Sequence, residues 1–166
     1  MPNYKLKFQQ VQFKSNPSDV SIDLTAYLAD ASNIPFASAA GVVDTFTVSL
    51  SKTSLPVSGY DQYLRNIVNN FIREKYTQTI STTLQSGSKI ATGISDTTVL
   101  IAGQSITSSG FPTETTLESV RDKVSVRLSA AATTTGNASL VSGIKGWNID
   151  FSEITSLVAL VNFASL

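Results

Sequence analysis

VSIDLTAYL, Val20–Leu28, alternates without a break: Val20, Ile22, Leu24, Ala26 and Leu28 fall on one side, with Ser21, Asp23 and Thr25 on the other. Successive side chains of a strand point to opposite faces, so strict alternation over nine residues marks a strand with one buried face. The turn signal SNPSD, Ser15–Asp19, precedes it, and a second alternating segment precedes that. In NYKLKF, Tyr4, Leu6 and Phe8 share a face against Lys5 and Lys7; the phase slips at Gln9-Gln10 and resumes in VQF with Val11 and Phe13. A one-residue slip reverses the faces, so the spacing predicts either a β-bulge at Gln9-Gln10 or two short strands meeting there.

The same period recurs along the chain. DTFTVSL carries Phe46, Val48 and Leu50 in phase, DKVSVRLS carries Val124, Val126 and Leu128, and GWNIDFS carries Trp147, Ile149 and Phe151. TTVLIAGQSI, residues 97–106, is more continuously apolar and reads as a strand covered on both faces. One segment breaks the rule. In SGYDQYLRNIVNNFIREKY the apolar residues stand at 60, 63, 64, 67, 68, 71, 72 and 76, a helical stripe opposite Gln62, Arg65, Asn66, Asn69, Asn70, Arg73 and Glu74. Ser58 is placed to cap this helix, and Asp61 sits in its first turn, four residues before Arg65. Gly- and Ser-rich connections, among them ASNIPFASAAG, LQSGSKIATG, TSSGFPTET and ATTTGNASLVSG, punctuate the rest. No internal repeat or composition shift marks a boundary. The expected fold is mainly β (α+β): an antiparallel β-sandwich or barrel with one amphipathic helix, about residues 60–76, packed on it, in a single domain over 1–166.

Composition narrows the chemistry. Twelve basic and twelve acidic residues cancel, and charged residues are only 14% of the chain. Such a balance lacks the positive excess that drives binding to a phosphate backbone, which argues against nucleic acid. The 24 serines and 19 threonines replace charge with hydroxyl, while 42% apolar content, regularly spaced, supports a folded core. MPNYKLKFQQ is alternating and polar, unlike a secretory signal, and no stretch reaches the about 18 apolar residues a bilayer-spanning helix requires. The expectation is a chain made in the cytoplasm without a signal peptide.

There is no histidine and no cysteine. The commonest general base, nucleophile and metal ligands are therefore missing, and neither a cofactor nor a metal is expected. The carboxylate pairs open to acid and base work are Glu114 with Glu118 and Asp150 with Glu153, and each reads more simply as a turn or strand residue facing water. QSGSKIATG lacks the P-loop order, and Asn137-Ala-Ser matches a glycosylation acceptor only as a tripeptide. Lys5, Lys7 and Lys14 make a small basic edge of the kind that discourages strand pairing. The expectation is that the chain is not an enzyme.

The last thirteen residues, 154–166, carry no charge. Read as a strand, Leu157, Ala159, Val161 and Phe163 fall on one face, and Val158, Leu160, Ala164 and Leu166 on the other. A strand apolar on both faces needs cover on both, either from the chain's own helix or from another copy. A short terminal helix starting near Ser152 fits the same run. Leu157, Val158, Leu160, Val161, Phe163, Leu166 and Trp147 are the subunit-interface candidates of the strand reading.

A β domain with one flanking helix is similar in layout to bacteriophage virion proteins such as tail-tube, coat or head-decoration subunits. The resemblance is one of architecture and rests on no residue motif. It implies a homo-oligomer in a ring or shell, contacts with other virion proteins, location in the virion, and intersubunit roles for the tail and for SNIPFASAAG, residues 32–41. The competing expectation is a β-sandwich binding module for carbohydrate or a cell-surface ligand, with Trp147 and the tyrosines as platforms.

Overall fold

The computed structural model describes residues 3–15, 17–37, 41–98 and 100–166. In chain order its elements are β1 (Asn3–Ser15), β2 (Val20–Asp30), β3 (Thr45–Ser51), α1 (Tyr60–Tyr76), β4 (Gln78–Leu84), β5 (Ile90–Ala91), β6 (Ser105–Thr107), β7 (Leu117–Val120), β8 (Val126–Leu128), β9 (Gly136–Gly143), β10 (Asn148–Asp150) and α2 (Ser152–Leu160). The chain is mainly β, with antiparallel and mixed sheets and two helices. It packs as two compact units, a terminal one of Asn3–Phe71 with Asn148–Leu166 and a central one of Ile72–Trp147. One boundary falls inside α1, where composition does not change.

In the terminal unit the sheet order is β10-β1-β2-β3. β1 and β2 form a long antiparallel hairpin whose register shifts between Phe8 and Gln10, so the slip in the alternation is a bulge within one continuous strand. The bulge restores the faces: Val11 stands opposite Leu24 and Phe13 opposite Ile22, and across β2 these meet Val48 and Leu50 of β3. The core face therefore carries the buried Tyr4, Leu6, Ile22, Leu24, Ala26, Leu28, Val48 and Leu50. α1 contributes Leu64 and Val68 to the buried set of this unit, at the spacing its stripe predicts. The chain enters α1 through Gly59 at φ +73°, a left-handed position that favours glycine, and the Tyr63 N–H donates to the Gly59 carbonyl at 3.1 Å. β10 pairs parallel to β1 only over Asn3–Lys5.

The strand expected at 154–166 is replaced by α2 and a 3₁₀ turn at Phe163–Ser165; the short terminal helix starting near Ser152 is the alternative the chain adopts. The local reason is at the entrance, where the Asp150 carboxylate accepts from the Ser152 N–H at 2.8 Å and gives one free helical donor a partner. Ile154 and Leu157, one helical turn apart, are buried, whereas Leu160 is 85% exposed. A strand would have put Ile154 and Leu160 on the same face. Leu157–Val161 is apolar at every position, and such a short run matches both periods equally.

In the central unit two three-stranded antiparallel sheets, β4-β9-β6 and β5-β8-β7, enclose a core of Ile80, Leu84, Ile94, Leu100, Ile106, Phe111, Leu117, Val126, Leu128 and Leu140. Among its described residues TTVLIAGQSI is strand only at its end, in β6; before it the Leu100 N–H donates to Thr97 O and the Gln104 N–H to Ile101 O. The buried Gln104 side chain holds that loop. Its Oε1 accepts from the Ile101 N–H at 2.9 Å and its Nε2 donates to the Tyr76 carbonyl at 2.9 Å. Of DKVSVRLS only Val126–Leu128 is strand, and Val124 is exposed. β9 occupies a stretch whose Gly, Ser and Thr content predicts a connection. Its inward face is Leu140 and Ser142, and that of β4 includes Thr82, so hydroxyls stand where an apolar alternation would announce a strand.

Candidate assembly surface

Three of the four carboxylates open to acid and base work make contacts within the fold. Glu118 is paired with Arg127 at 2.9 Å across β7 and β8, and Glu114 sits at φ +66° in a turn. Asp150, just ahead of α2, accepts from the Ser152 N–H, which holds its carboxyl below the usual value; Glu153 is joined to Lys7 at 2.9 Å. The strongest polar cluster of the terminal unit was not foreseen. The Thr155 hydroxyl donates to Asp61 at 2.7 Å and accepts from Arg65 at 2.6 Å, while Arg65 also binds Asp61 directly. The Thr155 bond first, then Arg65, pulls the Asp61 carboxyl below its ordinary value. The triad fastens the start of α1 to α2. Only the i, i+4 spacing of Asp61 and Arg65 was visible in the sequence. Among the described residues no three His, Cys, Asp or Glu side chains gather as a metal site requires.

The lysine edge is tied down from within, and two of its three charges meet carboxylates. Lys5 donates to the Ala31 carbonyl at 3.3 Å and to Asn33 at 3.0 Å, Lys7 meets Glu153, and Lys14 meets Asp23. Trp147 is half-buried in the central unit, its Nε1 donating to Gly103 O at 3.0 Å and its ring centroid 5.5 Å from that of Tyr76. Of the tail candidates, Leu157 and Phe163 are buried, Phe163 stacking on Tyr60 at 5.3 Å. Val158, Val161 and Leu166 are half-buried, which leaves Leu160 as the exposed member. The loop at 32–41 is described apart from residues 38–40. Its Phe36 N–H donates to Leu28 O at 2.8 Å and its ring meets Tyr4 edge-on at 4.9 Å, while Ile34 is exposed.

The sheet of the terminal unit has two open edges. β3, TFTVSLS, pairs with β2 on one side, and among the described residues no strand pairs with its other side. β10 follows β1 only to Lys5, and Lys7 is tied to α2, so from Gln10 to Ser15 the outer side of β1 is likewise without a strand among the described residues. At this edge the core face ends on Val11, half-buried, and Phe13, 47% exposed, although Ile22 beside Phe13 is buried. The opposite face of the sheet is polar: Gln10, Gln12 and Lys14, then Ser21, Asp23 and Thr25, then Thr45, Thr47 and Ser49, with Lys14 and Asp23 joined in an ion pair.

The central unit has an open groove of about 450 Å³ across β4 and β9, lined by Ser81, Thr82, Thr83, Gly93, Asn137, Ala138 and Ser139. It carries no ionisable or aromatic side chain. No described helix is long and apolar enough to cross a membrane. Comparison with protein-family models, with curated proteins and with solved structures finds no match for this chain.

Proposed function

We propose that the chain is a non-enzymatic structural subunit that assembles with copies of itself. The observation that carries this reading is the pair of open edges on one sheet. The outer side of β3, seven residues long, pairs with no strand among the described residues, and β3 has no charge, proline or bulge. Exposed edges of this kind are normally blunted by such features, because their free N–H and C=O groups recruit further strands. An assembling subunit keeps such an edge open for its neighbour; the free stretch of β1 begins just after its bulge, and its one charge, Lys14, is paired with Asp23 on the same sheet. The commitment of Glu118, Asp150, Glu153 and Asp61 to ion pairs and helix contacts supports the non-enzymatic part. A virion component, whether tail tube, coat or head decoration, is the kind of protein this reading fits, and other virion proteins are then further partners. Electron microscopy of the purified chain tests it: rings, tubes or shells are expected, and a field of single small particles at every concentration rejects the reading.

The second reading, a binding module for carbohydrate, rests on the hydroxyl-lined groove of the central unit. Saturable heat of binding to an oligosaccharide that Asn137→Ala abolishes would bring it forward.

A further inference from the structure

We infer that neighbouring copies join head to tail, the outer edge of β3 on one copy pairing in parallel with the Gln10–Ser15 edge of β1 on the next. The inference rests on the assembly reading above and names its interface. Three pairings of these edges between copies are available. Pairing β1 with β1 of a second copy covers Phe13 but leaves the uncharged seven-residue edge of β3 open. Pairing β3 with β3 covers that edge but leaves Phe13 and Val11 at the end of an uncovered core face. Only β3 with β1 satisfies both edges, and it does so with one kind of contact repeated from copy to copy.

Strand direction follows from the topology. β1 and β3 both run antiparallel to β2 and so run the same way in the sheet. A second copy placed beside the first with its core face on the same side, and β3 next to β1, keeps that direction, which makes the new pair parallel. Turning the copy end for end within the sheet plane would instead bring β3 to β3 or β1 to β1. The apolar layer then continues from Val48 and Leu50 of one copy to Val11 and Phe13 of the next, and the polar face continues from Thr47 and Ser49 to Gln10, Gln12 and the Asp23-paired Lys14. A contact of this type closes a ring where the rotation between copies closes and otherwise builds a helical filament.

The absence of cysteine makes a crosslinking test clean. Gln12→Cys is combined in one chain with Thr45→Cys, Thr47→Cys or Ser49→Cys, all exposed positions on the polar face. Gln12 and Ser49 flank Asp23 from either side, two strand spacings or about 10 Å apart. That exceeds the about 7 Å a disulfide spans, so none forms within a chain. Each reduced variant is first shown to keep the mass of the parent. Mild oxidation is expected to give a ladder of dimers, trimers and larger species from at least one double variant, and none from any single variant. Dimers from Gln12→Cys alone or Thr47→Cys alone overturn the head-to-tail pairing in favour of a two-fold one. No crosslink from any variant, with the assembly intact, overturns it and moves the interface elsewhere. A parent chain that is monomeric before oxidation overturns the assembly reading as well.

Discussion

Ile154→Ala and Leu160→Ala, made separately, decide between the two readings of the tail. In α2 the Ile154 side chain has no exposed surface and Leu160 is 85% exposed. Removing a fully buried isoleucine to alanine loses its transfer energy and leaves a cavity, about 2–5 kcal/mol together. Removing an exposed leucine changes stability by no more than about 0.5 kcal/mol. With a urea dependence of about 1–3 kcal/mol per molar, a loss near 3 kcal/mol moves the midpoint down by about 1–3 M, while Leu160→Ala leaves it almost in place. The assay is urea unfolding followed by circular dichroism at one protein concentration, because assembly adds a concentration-dependent term to apparent stability. Were 154–166 a strand, the six-residue separation would put both side chains on one face and the two losses would be alike. Equal losses, or a larger one at Leu160, refute the helix.

Gln104→Leu removes the partners of the Ile101 N–H and the Tyr76 carbonyl together, and each group left unsatisfied in the central unit costs about 1–3 kcal/mol. A melting temperature equal to the parent's would show that the loop at 100–104 does not depend on this side chain. Gly110→Ala puts a Cβ 2.5 Å from the Leu84 methyl and 3.0 Å from the Thr134 hydroxyl; because Leu84 is a buried core residue, about 1–3 kcal/mol of overpacking is expected in a thermal melt. Asp61→Asn tests the triad through pH. Bonds from Thr155 and Arg65 lower the carboxyl's folded-state value, so its contribution is complete above the ordinary aspartate value near pH 4 and lost as pH falls through the lowered one. The difference in urea midpoint between parent and variant is therefore expected to be widest at pH 7 and to close in strong acid; a difference independent of pH contradicts the triad.

The parts of the fold visible in the sequence are those where period and burial coincide. Val20–Leu28, the slip at Gln9-Gln10 and the stripe of 60–76 each became the element their spacing implies, because their inward positions are apolar and their outward ones polar. Where hydroxyls face inward the signal fails. Thr82 in β4 and Ser142 in β9 are buried and bonded to backbone carbonyls; the stretch of β9 reads as a polar connection, and no strand is read over β4. Where a run such as Leu157–Val161 is apolar at every position the signal fails the other way, and the helix and strand periods are then equally filled. The edge at Phe13 was legible as a strand residue in phase with the core face. That its cover stops there is a property of the sheet's width, which depends on where β10 ends and on no feature of residues 9–15 themselves.

The mass of the purified chain in solution, measured by light scattering at micromolar concentration, bears most directly on the assembly claim. One chain is 17.7 kDa. A mass at a whole multiple of this value, three copies or more, is the result expected of subunits joined through two different edges of one sheet. A mass of one chain at every concentration contradicts self-assembly, and a mass that stops at two copies contradicts the head-to-tail contact.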